Sequence, residues 1–168
     1  LCSLSILWYN IDHDIVPRDG ARRAWAFAER RRELEMRETI LLFGGEEALT
    51  AHVQRAAAPL KVRVKFIPPE EYGNSLGYLA GDHSCPQARE PWAGGPVEQP
   101  LLLLAGMTGD KMGRVLDALR RHGLYIDYKA MLTPTNRFWD VPALYEEIAR
   151  EHRQLQESGA AADAQTED

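Results

Sequence analysis

The chain has 168 residues, 45% of them hydrophobic and 27% charged, with a formal net charge of −5. That is the size and make-up of one ordinary globular domain. It excludes three classes. No apolar run approaches the ~18 residues that a membrane-spanning helix needs. Two cysteines cannot build a disulfide-dense scaffold or a four-thiolate zinc centre. A net negative charge does not suit a protein that coats nucleic acid.

Leu1 to Tyr9 is apolar enough to resemble the core of a signal peptide. It lacks a basic stretch before it, and Asn10-Ile11-Asp12-His13-Asp14 follows instead of a small-residue cleavage site. A cytoplasmic protein is therefore expected, with Cys2 and Cys85 as free thiols. The first methionine is Met36, and Arg30-Arg31-Arg32-Glu33-Leu34-Glu35 stands just before it. Arg-Arg-Glu can be encoded by AGG AGG GAG, which resembles a bacterial ribosome-binding site. One reading takes residues 1–35 as upstream sequence translated in frame, with the native chain starting at Met36. The other takes them as a genuine extension, a strand at Ser5–Ile11 and a helix at Gly20–Glu35.

From Thr39 the pattern is regular. Thr39–Phe43 is a short apolar run closed by Gly44-Gly45, which predicts a buried strand and a turn. Glu46–Ala57 follows as a helix with Leu49, Val53, Ala56 and Ala57 on one face, ended by Pro59. Lys61 to Ile67 alternates polar and apolar, so one strand face is buried and the other carries Lys61, Arg63 and Lys65. The linker from Pro68 to Pro100 holds a short helix at Glu70–Leu79 and then a Pro/Gly-rich loop.

The second half repeats this order. Leu101–Leu104 is an apolar strand closed by Ala105-Gly106. Asp110–His122 is a helix with Met112, Val115, Leu116 and Leu119 on one face and Gly123 after its end. Tyr125–Leu132 is a second strand, ended by Pro134. Setting Leu49 on Met112 also sets Val53 on Leu116 and Ala56 on Leu119, a constant offset of 63. The expectation is an internal repeat, one β-α-β unit used twice, folded as an α+β ferredoxin-like sandwich with an added C-terminal helix. The alternative is a small doubly wound α/β sheet, with the two apolar runs as central strands. Asp140 caps the last helix, which has Pro142 in its first turn and Leu144, Tyr145 and Ile148 on its apolar face, and which ends near His152. Residues 153–168 hold one basic and four acidic residues and read as a disordered tail. The domain is thus residues 36–152, with 13 basic and 15 acidic residues.

The segment richest in chemistry is Lys129-Ala130-Met131-Leu132-Thr133-Pro134-Thr135-Asn136-Arg137-Phe138-Trp139-Asp140. It passes from a strand end to a helix start, a turn that gathers backbone N–H groups and suits an anion. Lys129, Thr133, Thr135, Asn136 and Arg137 are the candidate ligand-binding residues. The competing reading is structural: Thr135 and Asn136 as turn formers, Asp140 as a cap and Trp139 as a staple. This segment resembles the signature of a prokaryotic family, domain of unknown function 3783, whose members read approximately Lys-Ala-Val-Leu-Thr-Pro-Thr-Asn before a Trp and a Glu-rich helix. Val62-Arg63-Val64, Pro69-Glu70-Glu71-Tyr72, Leu79-Ala80-Gly81 and the Leu-rich strand before Gly106 resemble the same family, so the likeness runs from about Met36 to His152. It implies a small cytosolic protein and carries no activity. The stretch Asp82–Pro96 is peculiar to this chain.

Other candidates are thinner. Asp82-His83-Ser84-Cys85 places three metal-capable side chains together without a second cluster, so no metal and no cofactor is expected. Cys85 has no His linked to it by any spacing, and Asp12-His13-Asp14 stands alone. Gly44-Gly45 and Gly106–Gly109 match no phosphate-loop pattern and read as tight turns. Arg120-Arg121-His122 complements a helix C-terminus. Lys61, Arg63 and Lys65 suggest an RNA-binding face, but Tyr125 and Tyr128 do not share a face for stacking bases. The leading expectation is a non-enzymatic module that binds a small anionic ligand or a protein partner. The alternatives are an enzyme acting on a phosphorylated or carboxylated molecule through Asp127, Tyr128 or Cys85, and an RNA-binding protein.

Overall fold

The computed structural model describes residues 37–163, with side chains to residue 157. The strand at Ser5–Ile11, the helix at Gly20–Glu35, the start at Met36, Cys2, the Asp12-His13-Asp14 group and residues 164–168 lie outside the described residues.

Eight elements follow one another: β1 (Thr39–Phe43), α1 (Glu47–Ala57), β2 (Arg63–Ile67), α2 (Leu76–Ala80), β3 (Leu101–Ala105), α3 (Gly109–Arg121), β4 (Tyr128–Met131) and α4 (Val141–Asp163). The fold is α+β around one mixed four-stranded sheet of order β2-β1-β3-β4. β1 pairs parallel with β2, and β3 parallel with β4. The two halves join through an antiparallel β1–β3 pairing in which Leu41 faces Leu103.

Both apolar runs are central strands because they are buried on both faces, every residue of each. Alternation divides them between two cores. Ile40, Leu42, Leu102 and Leu104 pack with Val53, Ala56, Val115 and Leu119 of α1 and α3. Leu41, Phe43, Leu101 and Leu103 pack with Tyr72, Leu76 and Leu79 on one side, and with Val141, Leu144 and Ile148 of α4 on the other. The result is three layers, helices on each side of the sheet.

This corrects the ferredoxin-like expectation. That sandwich splits each helix-linked strand pair with another strand, whereas here β1 and β2, and β3 and β4, are direct neighbours. The doubly wound alternative has the covered faces right but not the antiparallel seam. The segment from Pro68 to Pro100 covers the second face: a turn of 3-10 helix at Pro69–Glu71, then α2, then a loop. That loop is pinned down by Ala88 N–H on Asn74 Oδ1 at 2.8 Å and Trp92 N–H on the Glu70 carbonyl at 2.9 Å.

The turns obey local chemistry. Gly44 (φ +69°) and Gly45 (φ +83°) make the strand–helix turn, and a Cβ on Gly44 would meet Val97 Cγ2 at 2.8 Å. Thr108 caps α3 by accepting from Lys111 N–H at 3.3 Å, and Asp140 caps α4 by accepting from Ala143 N–H at 2.9 Å. Pro59 does not stop the first helix outright, because Ala58–Leu60 adds a 3-10 turn. α4 runs on past His152 to Asp163, so residues 153–163, read as part of the tail, are helical. The Glu147–Arg150 pair supports the helix one turn before that segment. No helix among the described residues is long and apolar enough to cross a membrane.

Tyr72 fastens the second face to the β1 turn. Its ring is buried edge-on against Phe43 at 5.8 Å, and its hydroxyl accepts from the Gly44 N–H at 2.9 Å. Burial pushes its pKa above the usual tyrosine value. Tyr72→Phe strands that N–H, and the expected loss is about 1–3 kcal/mol of unfolding free energy in a urea titration.

Candidate functional site

The turn between β4 and α4 is the motif of interest, and its polar groups are bonded to one another. Asn136 is 1% exposed. Its Oδ1 accepts from Thr133 N–H at 2.8 Å, its Nδ2 donates to the Met131 carbonyl at 2.9 Å, and its own N–H donates to Thr133 Oγ1 at 3.2 Å. The amide therefore replaces the sheet partners that β4 loses where it ends. Thr135 is exposed beside it.

Arg137 leaves this turn for the loop after α2. Its guanidinium pairs with Asp82 Oδ2 at 2.9 Å, with both side chains mostly buried, and lies 3.4 Å from Ser84 Oγ. Burial opposes ionisation of Asp82, but hydrogen bonds from Ser84 and Cys85 and the Arg137 charge outweigh it, holding the carboxyl below its ordinary value. Cys85 Sγ lies 3.5 Å from Asp82 Oδ2, and burial pushes this thiol upward against the pull of Arg137. It packs so closely on α2 that a Cβ on Gly77 would meet Cys85 Sγ at 2.4 Å. A buried thiol with a raised pKa is a poor nucleophile. His83 turns away to stack edge-on with Tyr78 at 5.6 Å. Among the described residues, no three His, Cys, Asp or Glu side chains gather for a metal ion.

Lys129 does not join Arg137. It pairs in register with Leu102, on the α1–α3 face of the sheet, whereas Arg137 sits with α2 on the other face. Strand alternation sets the side of Lys129, and the turn after β4 carries Arg137 to the other side. Lys129 Nζ donates to the Ile126 carbonyl and, at 3.5 Å, to that of Asp127. Burial lowers its pKa. The structure thus does not bring the five expected residues together: Lys129 reaches toward the start of β4, and Asn136 and Thr133 bond to each other in the turn.

A second site lies at that opposite end. Gln99, Pro100, Tyr125, Ile126, Asp127, Tyr128, His152, Arg153 and Gln156 line a cleft of about 350 Å³ where α4 passes the first residues of β3 and β4. The His152 ring lies 4.8 Å from the Tyr128 ring, and its Nε2 is 3.3 Å from the Asp127 carbonyl oxygen. Tyr145 packs on Tyr128 at 5.2 Å and its hydroxyl accepts from Gln99 N–H at 3.1 Å. Lys129 therefore holds, from behind, the same carbonyl that His152 approaches from the cleft.

Residues 100–155 match the family described as Domain of unknown function (DUF3783). No curated protein and no solved structure matches the chain. The match begins at the residue before β3 and ends within α4, so it takes in the signature turn and most of the cleft. The likeness drawn from the signature is borne out over this segment; Val62–Val64, Pro69–Tyr72 and Leu79–Gly81 fall outside it.

Sequence reasoning missed the cleft because its residues come from three separate stretches. One signal was present. His152 continues the inner stripe of α4 after Val141, Leu144, Tyr145 and Ile148, and a histidine there faces the body of the protein. Elsewhere, Arg63 and Lys65 are exposed on the edge strand β2, as the alternation implied, but Phe66 on its other face is 39% exposed.

Two measurements check this account of the turn. Asn136→Ala leaves the Thr133 N–H and the Met131 carbonyl without partners, and a loss of about 2–4 kcal/mol is expected in chemical denaturation. Asp82 has a lowered folded-state pKa, so its contribution is complete above the unfolded value of 3.8 and is lost as pH falls through the folded value. Asp82→Asn is expected to be less stable than the parent at neutral pH, with the gap narrowing as the pH falls below 3.8 and on through the lower folded-state value.

Proposed function

We propose that the protein is a non-enzymatic binding module for a small molecule bearing an anionic group, held in the cleft between α4 and the start of β4. The observation that carries this reading is the meeting of His152, Arg153, Tyr128 and Asp127 around one recess of about 350 Å³. Such a volume suits a small ligand. Arg153 offers a planar two-pronged donor for a carboxylate or phosphate, and His152 a second donor when protonated. Tyr128 supplies a flat apolar wall, and Asp127 adds an acceptor for a hydroxyl or amine on the ligand. A cytoplasmic setting is part of the reading, supported by Cys85 standing as a free thiol.

The enzyme alternative moves to the same place. Asp127 and Tyr128, named as acid–base candidates from the sequence, line the cleft with His152. This favours an acid–base reaction on a phosphorylated or carboxylated molecule as the second reading.

A thermal-shift panel of nucleotides, sugar phosphates and carboxylic acids tests the site. At least one compound is expected to raise Tm, by the equivalent of about 2.7 kcal/mol at a hundredfold excess over its Kd. The shift is expected to vanish in Arg153→Ala and to persist in Arg63→Ala on the far edge strand. A panel without a hit, or a hit indifferent to Arg153, removes the proposal. A hit recovered chemically unchanged favours binding, and one recovered altered favours the enzyme.

A further inference from the structure

Tyr125 is 79% exposed and lines the cleft between α4 and the start of β4. Its neighbours explain where the ring goes. Ile126 is buried in the α1–α3 core, and Leu124 packs against that core. A residue between two such anchors is turned away from the core they fill. The main chain beneath the ring is fixed. Leu124 N–H donates to the Leu119 carbonyl at 2.9 Å, and Lys129 Nζ donates to the carbonyls of Ile126 and, at 3.5 Å, of Asp127. Tyr125 is thus a ring on a firm support that the fold itself does not cover. No other ring among the described residues packs on it. Tyr128 also walls the cleft, but its ring already packs on Tyr145 at 5.2 Å and on His152 at 4.8 Å.

Three chemistries follow one another along the cleft. Tyr125 offers a flat face on which a planar ring can stack. Asp127, two residues on, offers a carboxylate that accepts from hydroxyls. His152 Nε2 lies 3.3 Å from the Asp127 carbonyl oxygen, which brings Arg153, the next residue of α4, to the same cleft with its two-pronged cation. A sugar phosphate or a hydroxy acid engages Asp127 and Arg153 and leaves the Tyr125 ring bare. A molecule that carries an aromatic base, a diol and a phosphate in that order engages all three.

We propose, on the reading of this cleft as a site for a small anion, that its ligand is a nucleoside monophosphate. The base stacks on Tyr125, the ribose hydroxyls donate to Asp127, and the phosphate meets Arg153.

Isothermal titration calorimetry on the full chain tests this with the four common nucleoside monophosphates and with ribose 5-phosphate, which lacks only the base. Circular dichroism confirms that each variant stays folded. At least one nucleotide is expected to bind about tenfold or more tighter than ribose 5-phosphate. Tyr125→Ala is expected to erase that advantage while leaving ribose 5-phosphate binding within about twofold of the parent, and Tyr125→Phe, which keeps the ring, to retain the advantage. Arg153→Ala is expected to weaken both kinds of probe. Ribose 5-phosphate binding that depends on Arg153 and gains nothing from a base overturns the nucleotide assignment and leaves the anion reading standing. A nucleotide preference indifferent to Tyr125→Ala also overturns the assignment. No Arg153-dependent binding of any probe overturns both.

Discussion

The antiparallel seam between β1 and β3 is the constraint from which the other features follow. Each strand is an unbroken apolar run, so neither can leave a face in water. Pairing them with each other puts the two least soluble segments at the centre and leaves β2 and β4 as edges. Since each unit is a parallel strand pair, the antiparallel seam turns one unit end for end against the other. The end of β1 at Phe43 therefore lies beside the start of β3 at Leu101. Gly44, Val97, Pro100 and the start of β4 all collect at that end of the sheet, and the cleft between Tyr128 and His152 is there.

Covering two faces also explains the long connection between the halves. α1 and α3 close the first face by themselves. The second face would be bare over β1 without α2 and the loop behind it, because α4 reaches it only from the β4 side. Tyr72, Leu76 and Leu79 fill that position. The Asp82–Arg137 ion pair then ties this cover to the turn before α4. A mostly buried ion pair costs desolvation and is worth little beyond that cost, but removing one partner leaves a charge without compensation. Its effect is to hold the cover in register with the turn. The Leu76 N–H bond to the Trp139 carbonyl and the Val141 N–H bond to the Tyr72 carbonyl do the same through the main chain.

Much of this was legible in the residues. Unbroken apolar runs located β1 and β3, period-3.6 patterns located α1 and α3, and glycine and capping residues marked their ends. Strand order was not legible, because the same two β-α-β units satisfy split and unsplit pairings alike. Burial on both faces was readable from the Leu run, but not which direction its partner takes. The signature turn shows the limit most clearly. Thr133, Asn136 and Arg137 have the donors and acceptors an anion site needs, and the same groups make a well-satisfied turn. Composition cannot tell the two apart. Bond partners can, and Asn136 spends both ends of its amide inside the turn. The Asp82–Cys85 stretch is polar and short of large apolar residues, a pattern that suits a loop lying in solvent. It is held down instead by the burial of Cys85 and by Arg137, a residue 55 positions away in the chain.

The position of the cleft follows from lengths alone. β4 has four residues and spans about 13 Å. The chain turns at residues 133–139 and comes back as α4 across the same face, rising about 1.5 Å per residue. From Val141 it has covered the length of β4 by about Ala149, and His152 comes one turn later, at the first residues of the strand. Inner-stripe spacing then aims that side chain at Tyr128 instead of at solvent. Beyond this point the sheet has ended and the helix has nothing to bury, which is why residues 153–157 are exposed while Leu144 and Ile148 are not. A short strand under a long helix leaves an overhang, and a recess forms beneath it. The family match over residues 100–155 takes in the strand, the return turn and the helix up to that overhang. On this geometry the signature turn sets where α4 starts, and the start of α4 sets which of its side chains reach the cleft. The turn acts on the cleft at the far end of β4 by measuring out the helix, without lining it.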